Sequence, residues 1–364
     1  MKKYLALILA IVMSLSLVAC GGGSTESPSG GGETQPGGEP AAGSKIAILV
    51  PNADHGWTGA VMTYAEEKAA QINEEGKYSA TVITSTDAAN QISQVEDLIS
   101  NKTADAVVIL PQDNTLEATM KKLADSGIPF VMFDRIIDSV SADAVASVKG
   151  DNEGIGSATA QRFIDNGLQP GDKILVMPGD NSSVPEMRNN GFQKTLKDNG
   201  WTDEQIAGIQ STAYTGWSRS EGKKLFTEWL EASTVEEITA TKYIFTHDDE
   251  IAMGILEALK SSDIDEAKKQ AFLGAGVHLG SSSGLNEIYS VLKGIHQKDY
   301  TAEVGQLADL FSVTYDPAMI QIAIDDMITH LEGGEVKQDH VIPVEVVDAT
   351  NVDQYKGFGD AVSQ

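Results

Sequence analysis

Asp134 and Arg135 stand side by side at the end of the run Ile128-Pro129-Phe130-Val131-Met132-Phe133. A carboxylate accepts hydrogen bonds in pairs and a guanidinium donates them in a rigid fork, so this couple can grip vicinal hydroxyls. That is the chemistry of sugars and polyols. The plainer reading of the same residues is a surface ion pair at a strand end, since such pairs are common and weak. What positions the couple is the apolar run before it. Buried on both faces, such a run has the character of a central parallel strand, and the open end of a parallel sheet is where ligands sit.

The elements around it alternate. Lys45 to Val50 is a buried strand, Pro51 to Gly56 a loop, and Trp57 to Asn73 a helix with Val61, Tyr64, Ala65 and Ile72 apolar. A strand at Ala80 to Ile83, a helix at Asn90 to Asn101, a strand at Ala106 to Leu110 and a helix at Leu116 to Asp125 lead to Gly127 and the Asp-Arg strand. The alternation begins again after Gly150. Helices are expected at Asn152 to Asn166, Glu186 to Asp198, Ser218 to Leu230 and Ile251 to Lys260, and strands at Lys173 to Met177, Tyr243 to Thr246, Ala271 to Val277 and Leu310 to Thr314. Asp316-Pro317 opens an amphipathic helix carrying Ile320, Ile324, Met327, Ile328 and Leu331, Gly333-Gly334 stops it, and Val341 to Val347 reads as a last strand. The pattern predicts an α/β fold of two Rossmann-like lobes, each a parallel sheet flanked by helices, with a ligand cleft between them.

Composition narrows the function classes. The 364 residues suffice for two domains, and 26 basic against 53 acidic residues give a formal charge of −27, or −29 once Lys2 and Lys3 are removed. A chain this acidic repels phosphate backbones, so nucleic acid is not an expected partner. Met1 to Ala19 reads as an export signal, with Lys2 and Lys3 as the positive region and Tyr4 to Val18 as an apolar stretch too short to span a membrane. Leu17-Val18-Ala19-Cys20 resembles the lipobox of bacterial lipoproteins, which would put diacylglycerol on Cys20, the only cysteine of the chain. No intramolecular disulfide can form. Gly21 to Ser44, made of Gly, Ser, Pro, Glu and Thr, has the composition of a flexible tether.

A lipoprotein signal, a tether, two βα lobes and a strand ending in Asp-Arg resemble the ribose/galactose group of ABC-transporter substrate-binding proteins, the type I periplasmic binding proteins. The more specific pieces are Gln91 to Ile99, Gly127-Ile128-Pro129 running into Asp134-Arg135, and His247-Asp248-Asp249-Glu250-Ile251-Ala252-Met253-Gly254. The resemblance implies three crossings between lobes, placed near 148–150, near Tyr315 and near Ile342-Pro343. The first lobe would then comprise 45–149 and 316–341, and the second 150–315 and 342–364. It implies a sugar held between aromatic faces and ringed by polar groups: His55 and Trp57 from the first strand's loop, Asp134 with Arg135, then Arg188, Trp217 and Asp248 from the second lobe. The family's usual aspartate falls on His278 and its usual amide on Tyr315, two departures that change which hydroxyls can be read, because His and Tyr donate where a carboxylate only accepts. Implied partners are a small sugar or polyol, the transmembrane subunits of an ABC permease with a separate ATPase, and the membrane through the lipid. A monomer without cofactor or metal is expected outside the cell membrane, in the periplasm if the host has one. The same domain can instead report to a chemoreceptor or sensor kinase.

Motifs for other chemistry are weaker. Gly280-Ser281-Ser282-Ser283-Gly284 satisfies a Gly-x-Ser-x-Gly elbow with Ser282 as nucleophile and His296, Asp309, Asp325, His330 and His340 downstream; the ordinary reading is a turn that caps a helix at Leu285. Gly274-x-Gly276-x-x-x-Gly280 has one residue too many for a dinucleotide fingerprint, and no Gly-Lys-Ser/Thr phosphate loop is present. No Cys/His cluster suggests zinc and no Asp-x-Asx-x-Asx-Gly loop suggests calcium, while the consecutive residues His247-Asp248-Asp249-Glu250 do not converge.

Overall fold

The computed structural model describes residues 43–53, 56–262 and 264–359. In the first lobe β1 (Lys45–Pro51), α1 (Gly56–Glu75), β2 (Ser79–Ser85), α2 (Ala88–Asn101), β3 (Ala106–Ile109), α3 (Glu117–Asp125), β4 (Phe130–Phe133) and β5 (Ala146–Gly150) follow one another. The second lobe runs through α4 (Asn152–Asp165), β6 (Lys173–Met177), α5 (Ser183–Asp198), α6 (Asp203–Ala207), β7 (Gln210–Ser211), α7 (Arg219–Ala232), α8 (Val235–Ala240) and β8 (Thr241–Thr246). It continues with α9 (Asp249–Lys260), α10 (Glu266–Gly274), β9 (His278–Ser283), α11 (Asn286–Leu292), α12 (Thr301–Val304) and β10 (Asp309–Thr314). The chain ends with α13 (Met319–Leu331), β11 (Asp339–Ile342) and β12 (Val346–Val347).

Two six-stranded sheets result, ordered β11-β5-β4-β3-β1-β2 and β12-β10-β9-β8-β6-β7. Every pairing is parallel except that of β12 with β10. Parallel strands must be covered on both faces, and the central ones are: all four residues of β3 and of β4 are buried. The amphipathic stripe of α13 buries Ile320, Ile324 and Met327 and lies on β4 and β5 of the first sheet. The chain therefore passes between the sheets three times, after Gly150, between Thr314 and Met319, and between Ile342 and Val346.

Two sequence expectations fail here. Ala271 to Val277 is not a strand: its apolar residues close α10, where Phe272 and Leu273 are buried and the Asp265 side chain caps the start. The strand is β9, His-Leu-Gly-Ser-Ser-Ser, whose polar residues hid it because they are satisfied inside the sheet. Ser281 Oγ donates to Asp249, and Ser282 Oγ donates to the His247 carbonyl at 2.9 Å. Val341 to Val347 is likewise two strands in two sheets, broken at Pro343, which has no N–H to give a ladder.

Candidate functional site

At both sheets the strand order reverses beside the first strand of the lobe: β2 and β3 flank β1, and β7 and β8 flank β6. Loops there leave in opposite directions and open a crevice at the carboxyl ends of the strands. A cavity of about 730 Å³ lies there, walled by Trp57 and Asp134 from the first lobe, by Arg188, Trp217 and Ser283 from the second, and by Tyr315 from the segment between β10 and α13.

Asp134 follows β4 with a φ of 61°, a left-handed turn that Asp tolerates better than most residues, and this turn ends the strand. Its carboxylate accepts the hydroxyl proton of Tyr315, and burial pushes its pKa up. The Tyr315 hydroxyl also accepts from Asn152 Nδ2 at 3.0 Å, and Asn152 Oδ1 accepts from Arg188 Nε at 3.0 Å. One continuous chain of hydrogen bonds thus joins a first-lobe carboxylate to a second-lobe guanidinium through the connecting tyrosine. Tyr315 is anchored at its backbone as well: Trp57 Nε1 donates to its carbonyl at 2.8 Å, and its N–H donates to Ser283 at 3.3 Å. Its ring fits because residue 150 is glycine; a Cβ there would lie 2.2 Å from Tyr315 Cε2.

Arg188 is 3% exposed and is held by neutral groups, Asn152, the Ser282 hydroxyl at 3.0 Å and the His247 carbonyl. Its guanidinium lies 5.4 Å from the Trp217 ring and 5.1 Å from the Tyr315 ring. Burial lowers its pKa. Trp217 reaches it from a loop whose Gly216 N–H donates to the Gly179 carbonyl at 2.7 Å, with its indole laid over Gly179, where any Cβ would come within 2.3 Å of the ring. Asp248 caps α9 through the Glu250 N–H at 2.8 Å, and burial beside Asp249 pushes its pKa up to about 8. Asp249 itself faces inward and accepts from Ser281, Ser312, Gly284 N and Leu285 N.

Among the expected site residues, Trp57, Asp134, Arg135, Arg188, Trp217, Asp248 and Tyr315 therefore line one cavity. Arg135 does so without pairing with its neighbour; it donates to the carbonyl of Gln112, so the plain ion pair at the strand end is not formed. His278 is a correction. It opens β9 at the end remote from the cleft, about 16 Å from Ser283 at the strand rise, and stacks on Tyr243 with rings 5.0 Å apart and 11° from parallel. The misplaced strand moved the expected site position to the wrong end of β9. The residue that does reach the cleft is Ser283, which sequence reasoning missed: it is 2% exposed, has a φ of 128°, and its Oγ has no hydrogen-bond partner among the described residues. Ser282, the nucleophile of the elbow reading, is inside β9, fully buried, and bonded to Arg188 and a backbone carbonyl; the turn expected at 280–284 is strand up to Ser283, and Asp249 serves the N–H groups ahead of α11. His55 and Cys20 lie outside the described residues. Among the described residues no cluster of His, Cys, Asp and Glu could hold a metal ion, and no helix is long and apolar enough to cross a membrane.

Two sheets, a crevice at their carboxyl ends and three connecting strands of chain define a two-lobed binding protein. The model of the periplasmic binding protein domain matches residues 46–329, and the chain belongs to that family. A Rhizobium meliloti protein named for rhizopine binding is 27% identical over 335 residues, covering 86% of this chain and 97% of that one. The ribose import binding protein RbsB of Bacillus subtilis is 29% identical over 181 residues, 49% of this chain and 54% of that one. Among solved structures, an ABC transporter solute-binding protein of Bacillus halodurans with bound myo-inositol superposes with a TM-score of 0.66 at 21% identity, covering 86% of this chain and 98% of its own. A galactofuranose-binding protein does so at 0.66 and 18% identity, covering 85% and 96%. These likenesses show a shared fold.

Proposed function

We propose that this chain is an extracytoplasmic receptor that captures a sugar or related polyol in the cleft and hands it to an ABC importer. The observation that carries the reading is the Asp134–Tyr315–Asn152–Arg188 chain of hydrogen bonds, which places acceptor and donor groups of both lobes around one aromatic-walled cavity. Sugars need this mixture: rings with apolar C–H faces for Trp57 and Trp217, and hydroxyls that each require a partner once buried. Ser283 Oγ and the remaining hydrogen-bonding capacity of the Asp134 and Asp248 carboxyl groups are such partners. The names of the relatives, a ribose import binding protein and ABC transporter solute-binding proteins, support the transport role. The protein acts by binding alone, with no catalytic step.

The mechanism is closure. The lobes, 45–149 with 316–341 and 150–315 with 342–364, turn about the three crossings, and a ligand that touches both walls favours the closed form. Tyr315 lies in the second crossing and bonds to both walls, so closure and the polar network move together. The N-terminal signal, lipid on Cys20 and a monomeric state complete the proposal, with the domain tethered to the outer face of the membrane. A thermal-shift screen against pentoses, hexoses, polyols and furanosyl sugars tests it. A ligand at a hundred times its Kd should stabilise by about 2.7 kcal/mol, and Asp134→Ala or Trp217→Ala should abolish the shift. A folded protein that no member of the panel, nor any glycoside built from its members, stabilises would overturn the reading.

A further inference from the structure

The cavity continues past the aromatic cup along the second lobe, where Arg219 and Lys223 of α7 face Glu250 and Glu257 of α9. Its volume of about 730 Å³ belongs to clefts that enclose drug-sized ligands, more room than one sugar ring fills. The extension is built into one lobe. The helices α7 and α9 meet through glycines: a Cβ on Gly254 would lie 2.5 Å from the Arg219 carbonyl, and one on Gly222 would lie 3.1 Å from Ile251 Cα. Their side chains are also tied, because Arg219 bonds to Glu250 at 2.6 Å and to Glu287, with Glu257 at 3.6 Å. Lobe motion therefore carries this wall along unchanged.

Lys223 stands one helical turn after Arg219 on the same face. It is half-buried, lines the cavity, and its ammonium makes no hydrogen bond or ion pair among the described residues. With Arg219 already shared by glutamates, Lys223 is left as a ready donor, while Glu250 keeps acceptor capacity beyond what Arg219 uses, and Glu257, whose Oε1 takes Arg219 and, at 2.8 Å, Lys298, keeps that of its second oxygen. Ser218 and Ser220 add hydroxyls on the same side. Donors and acceptors interleaved along a fixed wall suit a second hydroxyl-rich unit.

We infer that this wall is a second subsite, so that the ligand is a glycoside of two polar units, one between the tryptophans and one against Lys223, Glu250 and Glu257. This rests on the sugar-receptor reading and narrows it. Titration calorimetry on the full chain tests it, with galactose, glucose and myo-inositol as single units and melibiose, lactose, maltose and galactinol as two-unit probes. At least one two-unit probe should bind ten-fold or more tighter than either of its components. Lys223→Ala should remove that advantage while leaving single-unit affinity within two-fold; the side chain has no partner to lose, so an unchanged melting curve is expected. If single units bind and no two-unit probe gains affinity, or if Lys223→Ala leaves a two-unit probe's advantage in place, the subsite is overturned and the receptor reading stands. If no probe of either kind binds, both fall.

Discussion

Two arginines of the second lobe, 31 positions apart in the chain, are treated in opposite ways. Arg219 is a quarter exposed and is gripped by glutamates, which hold its pKa well above the ordinary arginine value. Arg188 is almost fully buried, has no salt-bridge carboxylate, and is held by an amide, a hydroxyl and a carbonyl between two aromatic rings, so burial pulls its pKa down. The first is a clamp that joins α7 to α9. The second is a positive charge kept short of full compensation at the bottom of a cleft, an arrangement that costs stability and is repaid by a ligand.

Substitutions should separate the two. Arg188→Ala, which leaves Asn152 Oδ1 and the His247 carbonyl without their guanidinium donor, should lose about 2–3 kcal/mol of unfolding free energy in denaturant titrations and abolish ligand binding by calorimetry. Arg188→Lys should not restore binding, because an ammonium cannot reproduce the fork between the aromatic rings. Tyr315→Phe keeps the ring over Gly150 and removes the hydroxyl, leaving Asp134 and Asn152 each short of a bond; a loss of about 1–3 kcal/mol in the same titration is expected.

A substitution at a third residue sharpens the comparison through pH. Burial pushes the Asp248 carboxyl up to about 8 in the folded protein from an ordinary 3.8 when unfolded, so between these values the folded state holds the extra proton and stability falls as pH rises. Asn caps a helix as well as Asp does. Asp248→Asn should therefore gain on the wild type progressively from pH 4 to pH 8, read as the difference in Tm across the series, with no further gain above. A constant difference would contradict the buried-acid assignment. The smallest effect is expected at the clamp: Glu257→Gln should cost under about 1 kcal/mol and leave affinity for a single sugar ring unchanged.

Four of the six strands of the first sheet, β1 to β4, were legible from the sequence because they are apolar runs between helices of clear period, as at Ile128 to Phe133, whereas β5 was not read as a strand and β11 was merged with β12. The second was less so where polar residues carry structure. The serines of β9 are silent to a hydrophobic pattern, since their partners Asp249 and the His247 carbonyl are 32 and 35 positions away. That single gap displaced the expected site residue to His278 and concealed Ser283. Seven site residues, from Trp57 to Tyr315, share one cavity, Asp134 and Arg135 legible from their strand and the other five through the family resemblance, whereas the bonds among them were not readable. Tyr315 and Asp134 are 181 positions apart, and nothing local to either announces the other. The Arg219 clamp was missed for the same reason, its partners being 31 and 68 positions away.

Closure of the lobes about the three crossings by a ligand that touches both walls is read directly by small-angle X-ray scattering. With a saturating concentration of a sugar that stabilises the protein, the radius of gyration should fall relative to the ligand-free protein, and the fall should vanish in Asp134→Ala. A tightly bound sugar that leaves the scattering curve unchanged would contradict the account.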